Sequence, residues 1–214
     1  MDAKSTHWDQ RYQTGDTPWD SGIVERELVR FLDDGVIPRG RAFEFGCGSG
    51  TNAVYLAQQG FEVVAADCSA IALNQARALL AEAGVRVNFI VADLCCLNDV
   101  RNSLGSKSSS YAGTFSFLFD RGCFHCARKL DLSGFLETLD WLAAPQARFL
   151  MLCGNPNEQT DWGPPRVTED QIRSELGELF EIDVIQPFRF EDRGGASGPL
   201  GWACQMTRHP VIRK

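Results

Sequence analysis

No stretch of this chain approaches the ~18 consecutive apolar residues that a membrane-spanning helix needs. The first thirty residues mix charges with aromatics and hold no apolar leader-like run, which points to a cytoplasmic protein with no membrane partner. Basic charge is in short supply: 21 Lys and Arg stand against 28 Asp and Glu, a formal net charge of −7. A protein that neutralises phosphates carries a basic face. Here only a short tail, residues 208–214, is basic, so nucleic acid is not an expected partner. No obligate protein partner is evident either. Eight cysteines are many for 214 residues. With no secretory segment they do not read as a disulfide framework, and reduced thiols are expected. Cys123 and Cys126, with His125 nearby, have metal-like C-x-x-C spacing, but no second pair matches it and no metal is expected.

What is present is an α/β pattern. A chain of this size, 44% hydrophobic, buries about 70% of the surface that its unfolded form exposes, enough for one core. We expect one domain over 1–214, with 1–38 as an N-terminal helical cap over a ligand site and 39–214 as the α/β core. Short apolar runs predict strands at 41–45, 61–66, 86–91, 115–119, 148–153, 180–186 and 202–207. Amphipathic stretches predict helices at 51–59, 69–83, 94–102 and 133–143, with Ser69 as an N-cap, and a further helix at 168–177 opened by a Thr168/Gln171 capping box. Two more, 5–13 and 23–34, precede the first strand. Such alternation gives a doubly wound, seven-stranded, mostly parallel Rossmann-like sheet with helices on both faces. "PFRFEDRGGASGPLG" joins the last two strands without a helix, which implies an antiparallel hairpin with a long glycine-rich loop. Residues 103–113, "SLGSKSSSYAG", read as a mobile polar loop.

Residues 43–67, "FEFGCGSGTNAVYLAQQGFEVVAAD", read as strand, glycine turn, helix, and a second strand ending in an acid. A dinucleotide site needs G-x-G-x-x-G. Here Gly46 and Gly48 are followed by Gly50 and then Thr51, so the third glycine comes one place early. Glu44, inside the end of the first strand, would repel a pyrophosphate and welcome a cation. S-adenosylmethionine suits this arrangement better, since it has an ammonium, a sulfonium and a ribose but no phosphate. Asp67 is placed to accept from both ribose hydroxyls, and Asp93, in "VADL", to meet the adenine amino group. Seven of the eight cysteines, Cys68 among them, fall at carboxyl ends of the parallel strands, where they read as small soft packing around a ligand.

Residues 41–153 resemble the class I S-adenosylmethionine-dependent methyltransferases. "HWDQRYQTGDTPWD", residues 7–20, is similar to the W-x-x-x-[WY] and T-P-W-D pattern of the thiopurine and halide/thiol methyltransferase family. "GPPRVTEDQI", residues 163–172, resembles a block of related bacterial small-molecule enzymes. The resemblance implies cofactor contacts at Trp8, Tyr12, Trp19, Gly46, Asp67, Asp93, Leu94 and Arg121. Tyr12 stands where a tryptophan is frequent. Arg121 stands where plant-type halide/thiol members place a tyrosine, which speaks against halide chemistry.

"FLFDRGCFHCA", residues 117–127, ends the fourth strand, where the resemblance puts the transferring methyl. It is not the D/N-P-P-Y/F/W sequence of many base-methylating enzymes. Methyl transfer needs mainly proximity and alignment. A thiolate needs little more, whereas a hydroxyl or amine needs a base. His125 is the candidate base; a packed histidine is the alternative. Asp120 is a candidate to hold the methionine ammonium or orient substrate; a cap on the next turn is the alternative. Trp8, Tyr12 and Trp19 offer aromatic faces to a sulfonium or anchor the cap. Trp162 and Arg166 are candidate contacts to a flat or anionic substrate. The expected activity is methyl transfer from S-adenosylmethionine to a small molecule, with sulfur favoured on the resemblance. The alternatives are an O- or N-methyltransferase using His125, and a non-catalytic S-adenosylmethionine or S-adenosylhomocysteine sensor.

Overall fold

Phenylalanine builds the centre of the sheet. Strand β1 (Arg41–Phe45) sends Phe43 and Phe45 to one face and Ala42 to the other. Strand β4 (Phe115–Arg121), beside it, puts Phe115 and Leu118 on the first face and Phe117 and Phe119 on the second. Both faces of these strands are therefore apolar, as a sheet covered on both sides requires. The computed structural model describes residues 3–35, 37, 39–191 and 197–210.

The other strands are β2 (Glu62–Asp67), β3 (Val87–Val91), β5 (Ala143–Gly154), β6 (Phe180–Glu191) and β7 (Ser197–Arg208). They form one seven-stranded sheet in the order β3-β2-β1-β4-β5-β7-β6. The first five pair in parallel, and β7 runs antiparallel to both neighbours. The chain grows outward from β1 to β3 and returns to lay β4 on the other side of β1. That reversal opens a crevice at the carboxyl ends of β1 and β4, where ligands of open α/β sheets bind.

Helices α1 (Ala3–Thr14) and α2 (Arg26–Asp34) precede the sheet. Helices α3 (Thr51–Gln58), α4 (Ala70–Ala83), α5 (Leu97–Leu104) and α6 (Phe124–Leu142) follow the first four strands, and α7 (Glu169–Leu176) precedes β6. The predicted caps are present: Ser69 accepts from the Ala72 amide at 3.1 Å, and Thr168 and Gln171 form a reciprocal capping box. Helix α6 begins well before the expected 133. Asp131 leaves helical geometry (φ −159°, ψ 94°), and its carboxylate caps the second half through the Gly134 amide at 3.0 Å.

Two expectations need correction. Residues 103–113 are not a loose loop: they complete α5 and continue as a 3₁₀ turn, Gly105–Tyr111. Arg41 Nη1 donates to the Ser110 carbonyl at 2.7 Å, and Tyr111 stacks on Phe115 at 5.8 Å. The long hairpin loop is mostly paired strand, since β6 and β7 run on to Glu191 and from Ser197; its remaining residues, 192–196, like 211–214 of the basic tail, lie outside the described residues.

Candidate active site

The ends of β1 to β4 border a cavity of about 660 Å³. Gly46 and Gly48 line it with positive φ of 61° and 54°, a conformation that side chains rarely adopt. Asp67 braces that turn. Its Oδ2 accepts from the Gly48 amide at 2.9 Å and its Oδ1 from the Ser69 amide at 2.8 Å, while burial pushes its carboxyl upward. Cys68 and Leu94 also line the cavity, as does Asp93, whose Oδ1 accepts from the Cys95 amide at 2.9 Å. Glu44 is fully enclosed. Burial raises its carboxyl strongly, against a hydrogen bond with the Asn52 side chain and the charge of Arg121. Its Oε2 has no hydrogen-bond partner among the described residues.

The N-terminal segment closes over this turn. Trp8, Tyr12 and Trp19 all line the cavity. Trp19 Nε1 donates to the Tyr12 hydroxyl at 3.2 Å, and its ring meets Trp8 edge-on at 5.3 Å. The Tyr12 hydroxyl covers Gly48 so closely that a Cβ there would strike it. Asp9 accepts from the Ser69 hydroxyl at 2.7 Å and the Ile71 amide at 3.3 Å, at the start of α4. The Ser49 hydroxyl donates to Asp20 at 2.7 Å. Arg121 then fastens three elements: Nε to Glu25 Oε2 at 2.7 Å, Nη1 to the Trp19 carbonyl at 2.8 Å and Nη2 to the Glu191 carbonyl at 3.0 Å.

Some of the expected site residues have other work. Gly50 does not line the cavity. Its φ is 83°, and a Cβ would lie 2.8 Å from Ala76 Cβ and 2.9 Å from Phe89 Cζ, so it lets α3 pack on its neighbours. Asp120 is enclosed beneath the following turn. Its two oxygens accept from the Cys123 and Phe124 amides, both at 2.8 Å, which makes it the cap of α6 rather than an ammonium ligand. Burial pushes its carboxyl up to about 7. Arg166 is absent from the cavity wall and donates to the Thr160 carbonyl. Arg121 lines the cavity, but all three of its guanidinium nitrogens are engaged within the protein. Trp162 does line the cavity, and 59% of it is exposed.

His125 lines the cavity, yet its geometry counts against a general base. Nδ1 accepts from the Gly154 amide at 3.3 Å, and burial, aided by the charges of Lys129 and Arg121, pushes the imidazole down to about 3. The sequence reading missed Ile23, Leu130 and Phe190 on the cavity wall. Only the first had a nearby signal, following "TPWDSG".

The site suits S-adenosylmethionine. A buried, unpartnered carboxylate oxygen at Glu44 calls for a cationic group. Of the arginines on the wall, Arg121 is engaged and Arg11 pairs with Asp16 at 2.8 Å, so neither is left for a pyrophosphate. Residues 3–193 match the thiopurine S-methyltransferase family model. The 2-heptyl-1-hydroxyquinolin-4(1H)-one methyltransferase of Mycobacteroides abscessus is 28% identical over 181 residues, 83% of this chain and 74% of that one. A probable thiopurine S-methyltransferase of Danio rerio is 27% identical over 195 residues, 85% of this chain and 83% of that one. A solved structure from work on the conversion of a disulfide bond into a thioacetal group in echinomycin biosynthesis superposes with a TM-score of 0.78 at 21% identity, over 96% of this chain and 92% of that one. The chain belongs to the thiopurine S-methyltransferase family, and it is an S-adenosylmethionine-dependent methyltransferase.

Proposed function

We propose that this enzyme methylates a small apolar aromatic acceptor, with sulfur as the favoured accepting atom. The observation that carries this reading is the rim of the cavity. Ile23, Leu130 and Trp162 are three of the six large hydrophobic side chains exposed among the described residues, and all three line this one cavity. Pro164, Pro165 and Pro199 continue the same wall. An exposed apolar patch beside a cleft marks a place for an apolar ligand. The Danio rerio and mycobacterial relatives are named for a thiopurine and a hydroxyquinolone, both flat heteroaromatics.

S-adenosylmethionine, when bound, would supply a methyl group on a sulfonium, an electrophile that needs only an aligned acceptor lone pair. The chain contributes position and dryness. Glu44 and Asp67 would hold polar groups of the cofactor, and the tryptophans and Tyr12 would exclude water from the sulfonium. A methyl-transfer screen over aromatic thiols, phenols, amines and halides tests the reading. Fastest turnover on aromatic thiols is expected, and a preference for small inorganic anions would overturn it.

A further inference from the structure

We propose that His125 is the hydrogen-bond donor that holds the acceptor's nucleophilic atom, so that the cavity selects acceptors already ionised in solution: aromatic thiols and acidic heteroaromatic hydroxyls. The assignment rests on the methyl-transfer reading above and deepens it.

The argument starts from a backbone amide, which can only donate. The Gly154 amide points at Nδ1 from 3.3 Å, so Nδ1 carries the lone pair and the proton of the neutral ring sits on Nε2. No acceptor among the described residues takes that Nε2 proton. Gly122, on the same cavity wall, keeps this edge of the ring open: a Cβ there would meet Cε1 at 3.2 Å and Nε2 at 3.4 Å. The ring is therefore held by one nitrogen and offers a donor with the other.

Asp67, which lines the cavity, is committed to the glycine turn, and Glu191 pairs with Arg26 at 3.1 Å. Of the wall's other acids, Asp20 accepts from the Ser49 hydroxyl at 2.7 Å and Asp93 from the Cys95 amide at 2.9 Å; Glu44 and His7 also line the cavity, and neither is among the charges acting on the imidazole of His125. Burial pushes the thiols of Cys47 and Cys123 well up and that of Cys126 up to about 11, so they stay protonated. The titratable and charged groups on the elements around the ring are Lys129 and Cys126 on α6, Asp120 and Arg121 on β4, and Cys153 on β5. Of these, Lys129 and Arg121 are the cations that oppose protonation of the imidazole. The same charges favour an anionic nucleophile beside Nε2. An ionised acceptor loses its proton to water before it binds, brings the bonding pair itself, and leaves as a neutral thioether or ether. No proton passes to the protein.

Three measurements test this. Nitrogen-15 NMR of wild type without ligand should show the Nε2–H tautomer at His125. The rate kcat/KM across pH, for substituted thiophenols and alkanethiols, should rise with a limb that moves with each acceptor's own ionisation. His125→Phe should weaken binding of an aromatic thiolate to the S-adenosylhomocysteine-loaded protein by roughly 10- to 100-fold, the weight of a hydrogen bond to a charged group. His125→Gln, whose amide N–H reaches the same place, should retain most of that binding. An Nδ1–H tautomer, or a pH limb that stays fixed whatever the acceptor and vanishes when His125 is replaced, would overturn the assignment while methyl transfer stands. No turnover with any acceptor would overturn both.

Discussion

Replacing Arg121 by methionine should loosen the whole N-terminal closure. The side chain is 11% exposed, and its partner Glu25 is fully enclosed at 2.7 Å. Glu25 Oε1 already lacks a hydrogen-bond partner among the described residues, so Oε2 depends on Arg121. Removing one member of such a buried pair leaves an uncompensated charge and costs about 3–5 kcal/mol. At ~2–4 °C per kcal/mol for a domain of this size, the melting temperature should fall by roughly 6–20 °C. The carbonyls of Trp19 and Glu191 lose their donors in the same change. A neutral partner should repair much of the damage, so Glu25→Gln/Arg121→Met should melt well above Arg121→Met alone. Calorimetric melting of wild type, both single variants and the double variant closes the cycle. Hydrogen exchange across residues 6–20 adds a second reading, since S-adenosylhomocysteine should protect that segment in wild type and much less in Arg121→Met. If Arg121→Met melts within ~1 kcal/mol of wild type, or if Glu25→Gln fails to soften its effect, the pair does not carry the closure.

Gly48→Ala should cut S-adenosylmethionine affinity at least about tenfold, because its Cβ meets the Tyr12 hydroxyl and its φ of 54° strains any side chain; titration calorimetry checks this, and Tyr12→Phe in the same chain should recover part of the loss. Asp67→Ala should weaken cofactor binding by about 1–3 kcal/mol, by leaving buried donors unpaired, and equal affinity in the variant would refute the assignment. Stability should also depend on pH through two buried groups of opposite sign. His125, at about 3 against an ordinary 6.5, contributes stability that is full above 6.5 and is lost as pH falls through about 3. Asp120, at about 7 against an ordinary 3.8, contributes stability that is present below 3.8 and is lost as pH rises through about 7. The two slopes oppose each other between about 3.8 and 6.5, so His125→Gln should remove the loss on the acid side and leave a fall in melting temperature as pH rises toward about 7, owed to Asp120.

The legible parts of this molecule were those whose partners lie next to them in the chain. Strands β1 to β3 stand out because each is a short apolar run with an acid near its carboxyl end, Glu44 inside β1, Asp67 ending β2 and Asp93 just past β3. The Thr168/Gln171 box is likewise complete within four residues. What escaped depends on distant packing. Gly50 looked like part of a nucleotide cradle because the residues it makes room for, Ala76 and Phe89, come from α4 and β3. Arg121 looked like a cofactor ligand because Glu25 is 96 positions away. Asp120 was left open between ligand and cap, because the expected helix began only at 133 and Asp131 interrupts the period of α6 from within. The length of β6 and β7 was hidden by Pro187 and Gly201, which argue against a strand locally. Strand β6 lies at the edge of the sheet, where proline is tolerated. A Cβ at Gly201 would strike the rings of Phe188 and Phe190, so the absence of a side chain is what lets β6 pack there.

The hydroxyl of Tyr12 over Gly48 sets an order of events. While α1 is docked, by Asp9 on α4 as well as by Tyr12, the glycine turn on the cavity wall is roofed. Neither Leu130, on α6, nor Trp162, between β5 and α7, belongs to that roof, so the acceptor's way in does not require α1 to move. Cofactor exchange should therefore be the slower of the two and acceptor exchange the faster. Turnover should be sequential, with S-adenosylmethionine binding first and S-adenosylhomocysteine leaving last. Product inhibition by S-adenosylhomocysteine should be competitive with the methyl donor alone.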